Sequence, residues 1–234
     1  MKAMILAAGR GERMRPLTDD LPKPLLKVAG IALIEHHIKG LYRAGIRDIV
    51  INHAWLGSKI EEALGNGDRF GLKIQYSAED LALETAGGIR NALNLLGNEP
   101  FLVVNGDIWT DYPFISIVDR AKSLLSTSIW VHLVFVKNPS HHPSGDFQLL
   151  EGNPLVYEKE LYPDIPCKTY SGIGLFHPKI FCFLEEGPQA LGPVLRNLIC
   201  EQHVHAEFYD GEWFDIGTPE RLTEINAYLD EKSP

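Results

Sequence analysis

The residues best equipped for chemistry crowd the start of the chain. Gly9 and Gly11 bracket Arg10, Arg13 and Arg15 follow, and Lys23 stands between Pro22 and Pro24. Glycines allow positive φ and close backbone approach. Successive backbone N–H groups in such a turn form an anion nest. Arg13 and Lys23 add fixed positive charge, and the two prolines stiffen the segment that aims Lys23. Gly9, Gly11, Glu12, Arg13 and Lys23 together suit a polyphosphate. The other reading of the loop is a surface turn with solvated arginines. It is neither common phosphate loop, since it lacks a Gly-Lys-Ser/Thr ending and has Met14 where a third glycine would stand. Farther along, Asp107 ends an apolar run, "FLVVNGDIW", where a lone carboxylate is costly without a cation. It reads either as a metal ligand or as a turn cap. Asp215 in "WFDIGTPERL" reads the same two ways. No Ser-His-Asp or Cys-His arrangement suggests a protein nucleophile. His141 and His142 lack further ligands at zinc spacing.

Composition narrows the classes. The net charge of −9 argues against a nucleic-acid binder, which would show a basic face. Apolar residues make up 45% and charged residues 23% of 234 residues, as in globular domains. No apolar run reaches the ~18 residues of a membrane span. Cys167, Cys182 and Cys200 have no metal or redox spacing, and their odd number fits a reducing compartment. The first apolar run reads as a strand, not a signal peptide. The expectation is a cytoplasmic protein, 1–234, folded as one domain.

The elements that must position these residues alternate. Apolar runs at 3–8, 48–53, 72–77, 101–109 and 129–136 read as strands. Between them, helical stripes appear at 32–45 (ended by Gly45), before Gly65, after Thr85 and near 114–125. The second half predicts a small hairpin from "DFQLL" and "PLVYEK" and a strand at 170–178. It also predicts a helix from "ALGPVLRNLICEQ" and two strands around Asp210-Gly211. A final helix follows, with Thr218 at its N-cap and Pro219 at N1. Cys182 and Cys200 fall on apolar faces and are expected in the core. Asp111 reads as a helix-start residue. The four tryptophans read as core or pocket wall. Alternating β and α elements predict an α/β fold, a Rossmann-like, mostly parallel sheet with helices on both faces. Ligands bind at the carboxyl ends of such strands, where the glycine loop falls.

The segment "LAAGRGERMRPLT" followed by "PKPL" resembles the signature of the sugar-1-phosphate nucleotidyltransferases. "LETAGGI", "VVNGDI", "YSGIGLFHP" and "WFDIGTPERL" resemble further segments of that family, in order along nearly the whole chain. The resemblance implies the nucleotide-diphospho-sugar transferase type of fold with a small sugar-side β insertion. It implies transfer of a nucleotidyl group from a nucleoside triphosphate to a sugar 1-phosphate with release of pyrophosphate. Arg13, Lys23 and Asp107 are then catalytic, and Asp107 and Asp215 hold Mg²⁺. Gly87, with Gly88, lets the base lie against the backbone, and Glu79 lies near the base unless it is a solvated loop carboxylate. Asn105, two residues before Asp107 on the same strand face, bonds the sugar. Gly172 leaves room for its ring, and Asp146 contacts a hydroxyl or amide. Two departures stand out. Glu84 occupies a position that is glycine in many members. "VYEKEL" lacks the proline of the family's V-x-E-K-P segment, so Glu158 and Lys159 receive no role. "INHAWLG", "VNGDIWTDY" and "HHPSGDF" resemble the short bacterial branch using UTP and N-acetylmuramate 1-phosphate. GTP with mannose 1-phosphate is second, and a non-catalytic nucleotide-sugar-binding paralogue third. A lactyl carboxylate on the sugar would need a donor, with Lys137, His141, His142 and Lys168 nearby in sequence.

Overall fold

The structure is a computed structural model that describes residues 1–124, 128–150, 155–156 and 162–232. Glu158 and Lys159 lie outside the described residues. In chain order the elements are β1 (Ala3–Leu6), β2 (Lys27–Val28), β3 (Ile31–Ala32), α1 (Leu33–Arg43), β4 (Asp48–His53), α2 (Gly57–Leu64), β5 (Lys73–Ala78), α3 (Glu84–Asn91), α4 (Leu93–Leu96) and β6 (Phe101–Asn105). Then follow β7 (Ile108–Thr110), α5 (Ile115–Leu124), β8 (Val131–Val136), β9 (Phe147–Leu149), β10 (Leu155–Val156), β11 (Cys167–Phe176), α6 (Leu191–Cys200), β12 (Val204–Phe208), β13 (Trp213–Asp215) and α7 (Pro219–Lys232).

The central sheet is mostly parallel. Strands β5, β4, β1, β6, β8 and β12 all run the same way, and β11 is reversed between β6 and β8. Hairpin β9–β10 extends from the start of β11 as the small β insertion. Alternate side chains divide the core, as strand periodicity requires. Ala3, Ile5, Ile49 and Ile51 face α1 and α2, with Ile34, Ile38, Leu41, Ile60 and Leu64 packed on them. Met4, Val50 and Val103 face the opposite layer, where α3 and α6 supply Ile89, Leu195 and Leu198. A third cluster joins the two ends of the chain. Met14, Leu26 and Val28 pack with Ile216 and Ile225. Among the described residues no helix is long and apolar enough to cross a membrane.

Several local expectations are corrected. The apolar run at 101–109 is not one strand. It breaks after Asn105 because Gly106 donates its N–H to Leu6 O, and a Cβ there would lie 2.5 Å from that oxygen. Residues from Ile108 onward leave the main sheet and pair with β13. The two strands around Asp210-Gly211 are present but join different sheets, β12 with β8 and β13 with β7. Asp111 caps no helix; its Oδ1 accepts hydrogen bonds from Tyr209 Oη and Glu212 N, tying that connection to β7. Cys182 and Cys200 are exposed, because the former sits in a turn beyond Pro178 and the latter ends α6; only Cys167 is buried.

Behind the sheet, Glu207 on β12 takes hydrogen bonds and charge from three elements. Tyr112 donates to Oε1, Arg120 Nη2 lies 2.7 Å from Oε2, and His132 Nε2 lies 3.5 Å from it. Burial raises its carboxyl pKa, but the nearby His132 imidazole, the Tyr112 hydrogen bond and the Arg120 charge outweigh this and pull it down to about 2. A carboxylate with a depressed folded pKa stabilises the fold above its unfolded pKa, and that stability is lost as pH falls toward the folded value. Thermal unfolding between pH 5 and pH 2.5 should therefore show Tm falling with acid. Glu207→Gln should flatten that slope by on the order of 1–2 kcal/mol, discounted for partial exposure. Parallel slopes for the two proteins would remove Glu207 as the source.

Candidate active site

The register of the parallel strands builds the site. Leu6 lies opposite Asn52 on β4 and Asn105 on β6, so three strands end side by side. A cavity of about 350 Å³ opens at these ends. It is lined by the loop after β1 (Ala7, Gly9, Gly11, Glu12 and Arg13), by Lys23 and by Asn105 and Asp107. Gly11 holds φ 70°, the left-handed turn the loop needs, and its carbonyl accepts from the buried Thr18 hydroxyl. Gly9 does not take positive φ; it borders the cavity with nothing within 4 Å of where a Cβ would point.

The four basic residues of the opening segment separate into two pairs. Arg10 lies 3.5 Å over the Trp55 ring, donates to Thr18 O and faces Glu12 and Asp19. Arg15 pairs with Asp19 at 2.7 Å. Both are used to hold the loop. Arg13 and Lys23 line the cavity. Among the described residues Arg13 has no ion-pair partner, whereas the buried Lys23 Nζ donates to Asp107 Oδ2 at 2.7 Å. The ammonium and the strand-end carboxylate thus hold each other at the rim of the phosphate-sized turn.

Asp107 and Asp215 come together through their strands. Asp107 O accepts from Ile216 N, at the end of the β7–β13 ladder. Asp215 itself lines no cavity described here. Its Oδ2 accepts from Arg221 Nη1 at 2.5 Å and lies 3.2 Å from His141 Nε2. Among the described residues no three His, Cys, Asp or Glu side chains group as a metal cluster. The candidate donors are the carboxylates of Asp107, in the turn between β6 and β7, and Asp215, on β13 opposite Ile108, each with an oxygen (Asp107 Oδ1, Asp215 Oδ1) that accepts no hydrogen bond among those residues. That set fits a hard divalent cation that takes its remaining ligands from phosphate and water.

A second cavity of about 640 Å³ adjoins the first and shares Glu84, Thr85 and Asn105 with it. Its other walls include Asp146, Tyr170 and Arg196. Asp146 is fixed by Tyr170 N at 2.8 Å and His142 Nε2 at 3.1 Å. Burial pushes the Tyr170 phenol pKa upward, so it stays a neutral hydroxyl.

Three expected contacts lie elsewhere. Glu79 is buried and not solvated, but it does not line the cavity; its oxygens accept from Asn52 Nδ2 (2.7 Å) and Leu83 N (2.9 Å). Gly87 faces the chain at Gly187 and Gln189, where a Cβ would lie 2.4 Å from Gly187 O, so its smallness admits that segment beside α3. Gly172, at φ 81°, makes room for Asn105, whose side chain a Cβ would meet at 2.6 Å. None of the four tryptophans lines either cavity. Sequence reasoning missed Asn52, Thr85 and Arg196 as wall residues. Asn52 was accessible to it, as the polar end of a parallel strand. The four cations and histidines nearest in sequence for a sugar carboxylate are engaged elsewhere. Lys137 pairs with Asp210, Lys168 lies over Phe208, and His141 and His142 bond to Asp215 and Asp146.

Comparison with known proteins agrees with this architecture. The chain is 51% identical, over 97% of both chains, to the N-acetylmuramate alpha-1-phosphate uridylyltransferase of Neisseria meningitidis. It is 34% identical to the protein of that name from Caulobacter vibrioides, over 98% of this chain and 97% of the relative. Mannose-1-phosphate guanylyltransferase catalytic subunit beta of Dictyostelium discoideum is more distant, at 29% over 98% of this chain and 65% of its own. A crystal structure of a putative glucose-1-phosphate thymidylyltransferase from Bacillus anthracis shares the fold, with TM-score 0.83 and 23% identity over 97% of this chain and 94% of that one. Residues 2–232 match the Nucleotidyl transferase family, whose members act on nucleoside triphosphates and sugar phosphates and commonly use divalent metals, and the chain belongs to that family.

Proposed function

We propose that this chain transfers UMP from UTP to N-acetylmuramate 1-phosphate, releasing pyrophosphate, and that it does so in the cytoplasm in the recycling of cell-wall peptidoglycan. Residues 1–234 act as one catalytic unit in this reading. The observation that carries it is the pair of adjoining cavities, one edged by the glycine loop with Arg13 and Lys23, the other walled by Asp146 and Arg196. Two substrates need two chambers with a common wall where the new bond forms. The 51% identity to a protein named for that sugar phosphate and UTP narrows the choice of substrates.

The chemistry asks little of covalent catalysis. An oxygen of the sugar phosphate attacks the α-phosphorus of UTP, and pyrophosphate leaves in line. Two anions must approach and negative charge grows on the leaving group, so positioning and neutralisation dominate. Arg13 neutralises the leaving pyrophosphate. Lys23, buried and aimed by Asp107, bridges the α-phosphate and the incoming phosphate. Glycine-loop N–H groups between Gly9 and Arg13 hold phosphate oxygens, and Glu12 borders them. Asn105 and Asp146 hold the sugar. Glu79 and Gly87 act on the nucleotide indirectly, by setting the walls. Mg²⁺, held by Asp107 and Asp215, would supply further neutralisation between carboxylate and phosphate oxygens.

Arg13→Ala should leave Tm unchanged, because no fold contact is lost. It should lower kcat by roughly 10²-fold with KM for UTP nearly constant, the pattern of an interaction made in the transition state. Arg10→Ala, which frees Trp55, should instead lower Tm. An Arg13→Ala enzyme with normal kcat and raised KM for UTP would make Arg13 a ground-state binding residue.

Chelation should abolish turnover, and added Mg²⁺ should restore it. Asp107→Asn should keep the fold and lose roughly 10²-fold or more in kcat. Full turnover in EDTA would remove the metal assignment.

The donor and acceptor are tested by pyrophosphate release from UTP or GTP with N-acetylmuramate, N-acetylglucosamine or mannose 1-phosphate. UTP with the lactyl-bearing sugar should lead by ~10²-fold in kcat/KM, since a site built to pair a carboxylate rejects a substrate lacking one. Arg196 is the cation on the second cavity wall, so Arg196→Ala should shrink that ratio about tenfold or more. Preference for GTP with mannose 1-phosphate would overturn the substrate assignment and leave the transfer chemistry intact.

A further inference from the structure

Glu84 enters α3 in a backbone conformation that favours glycine. It holds φ 58°, in the left-handed region that glycine occupies freely and that strains any residue with a Cβ. The strain is imposed from outside. Leu83 N is tied to the buried Glu79, and Gln189 N donates to Leu83 O, so the chain must turn left-handed to enter α3. A side chain kept at such a site needs a reason in function. The Glu84 side chain is exposed and has no hydrogen bond or ion pair among the described residues. It is also one of three residues that line both cavities.

We propose that the Glu84 carboxylate is a specificity group that accepts hydrogen bonds from hydroxyl or amide N–H groups of the acceptor sugar at the junction of the two chambers. Charge selects this ligand. A bare carboxylate is an acceptor only and repels phosphate, so although Glu84 borders the cavity of Arg13 and Lys23 it suits a ligand group on the side of the second cavity. It suits the uncharged donors of a sugar ring held beside Asp146 and Asn105. This rests on the nucleotidyltransferase reading above. The competing explanation is structural, since an acidic residue in the first turn of α3 also interacts favourably with the helix dipole.

Steady-state kinetics and thermal unfolding of the unaltered protein, Glu84→Gly and Glu84→Gln separate these. Glu84→Gly should raise KM for the sugar phosphate about 10- to 100-fold, as expected for loss of charge-assisted hydrogen bonds. Its KM for UTP should stay within twofold, and its Tm should be unchanged or about 2–4 °C higher from the relieved strain. Glu84→Gln, which keeps an acceptor oxygen, should recover part of the lost sugar affinity. An unchanged sugar KM in Glu84→Gly overturns the proposal. So does a rise confined to the KM for UTP, which assigns the carboxylate to the nucleotide, or a lowered Tm in both variants with normal kinetics, which assigns it to the helix. Absence of pyrophosphate release by the unaltered protein with every sugar 1-phosphate would instead overturn the nucleotidyltransferase reading itself.

Discussion

One buried chain of hydrogen bonds holds the two sides of the site together. Ala7 N donates to Asn52 Oδ1, Asn52 Nδ2 donates to Glu79 Oε1, and Leu83 N donates to Glu79 Oε2. The chain crosses the ends of β1, β4 and β5 and fastens the glycine loop at one end and the approach to α3 at the other. Its side chains are almost fully out of solvent, so an unmade bond here leaves a desolvated polar group at a cost of about 1–3 kcal/mol. Gly88 is small for the same reason, since a Cβ there would lie 2.8 Å from both Asn52 Nδ2 and Glu79 Oε1. The conformation of Glu84 is a downstream consequence of this chain.

The opposite side of the loop is fixed by apolar packing. Met14, fully buried, sits one residue after Arg13 and packs with Ile216 and Ile225 from the end of the chain. Ala29 N donates to Asn226 Oδ1 at 2.8 Å. Ile216 also donates its N–H to Asp107 O. Ile216 and the last helix therefore clamp the first loop and the backbone at Asp107 together. Preorganised charge is effective because it does not have to be gathered when the reaction occurs. Arg10 and Arg15 complete that preorganisation by holding the loop's shape, which leaves Arg13 facing the cavity.

Much of this was legible in the sequence. Continuous apolar runs marked β1, β4 and β8, and helical stripes marked α1 and α6, because burial on two faces or one writes itself into residue period. The glycine loop, Arg13, Lys23, Asn105 and Asp107 were also readable, and the structure brings them to one cavity. What was not legible is the close approach of distant segments. Gly87 and Gly172 look like residues that admit a ligand, yet each makes room for another part of the chain, Gly187 or Asn105, and Gly106 likewise makes room for Leu6 O. The break after Asn105 follows from that approach, and local pattern carries no trace of it. Cys200 sits on an apolar helix, but at its last residue, where period no longer predicts burial. Arg196 was hidden for the opposite reason, since an arginine on a helix reads as solvated surface until the facing wall is known.

The net charge of −9 is compatible with a site for two polyanions because charge acts locally. At physiological ionic strength exposed charges are screened beyond about 8 Å, while pairs with low exposure are screened much less. In the proposed reaction a phosphate would meet Arg13, the buried Lys23 and the loop N–H groups, not the acidic exterior. Lys23 would be costly to bury alone, and Asp107, 2.7 Å away, supplies its counter-charge. In the proposed reaction the sugar would lie in the second cavity, which has opposite signs on one wall, with Asp146 braced by His142 and Tyr170 N and Arg196 facing the same space. A sugar bearing both neutral donors and a carboxylate matches such a wall at two points. A neutral sugar matches it at one, so discrimination in the proposed reaction would come from the missing contact.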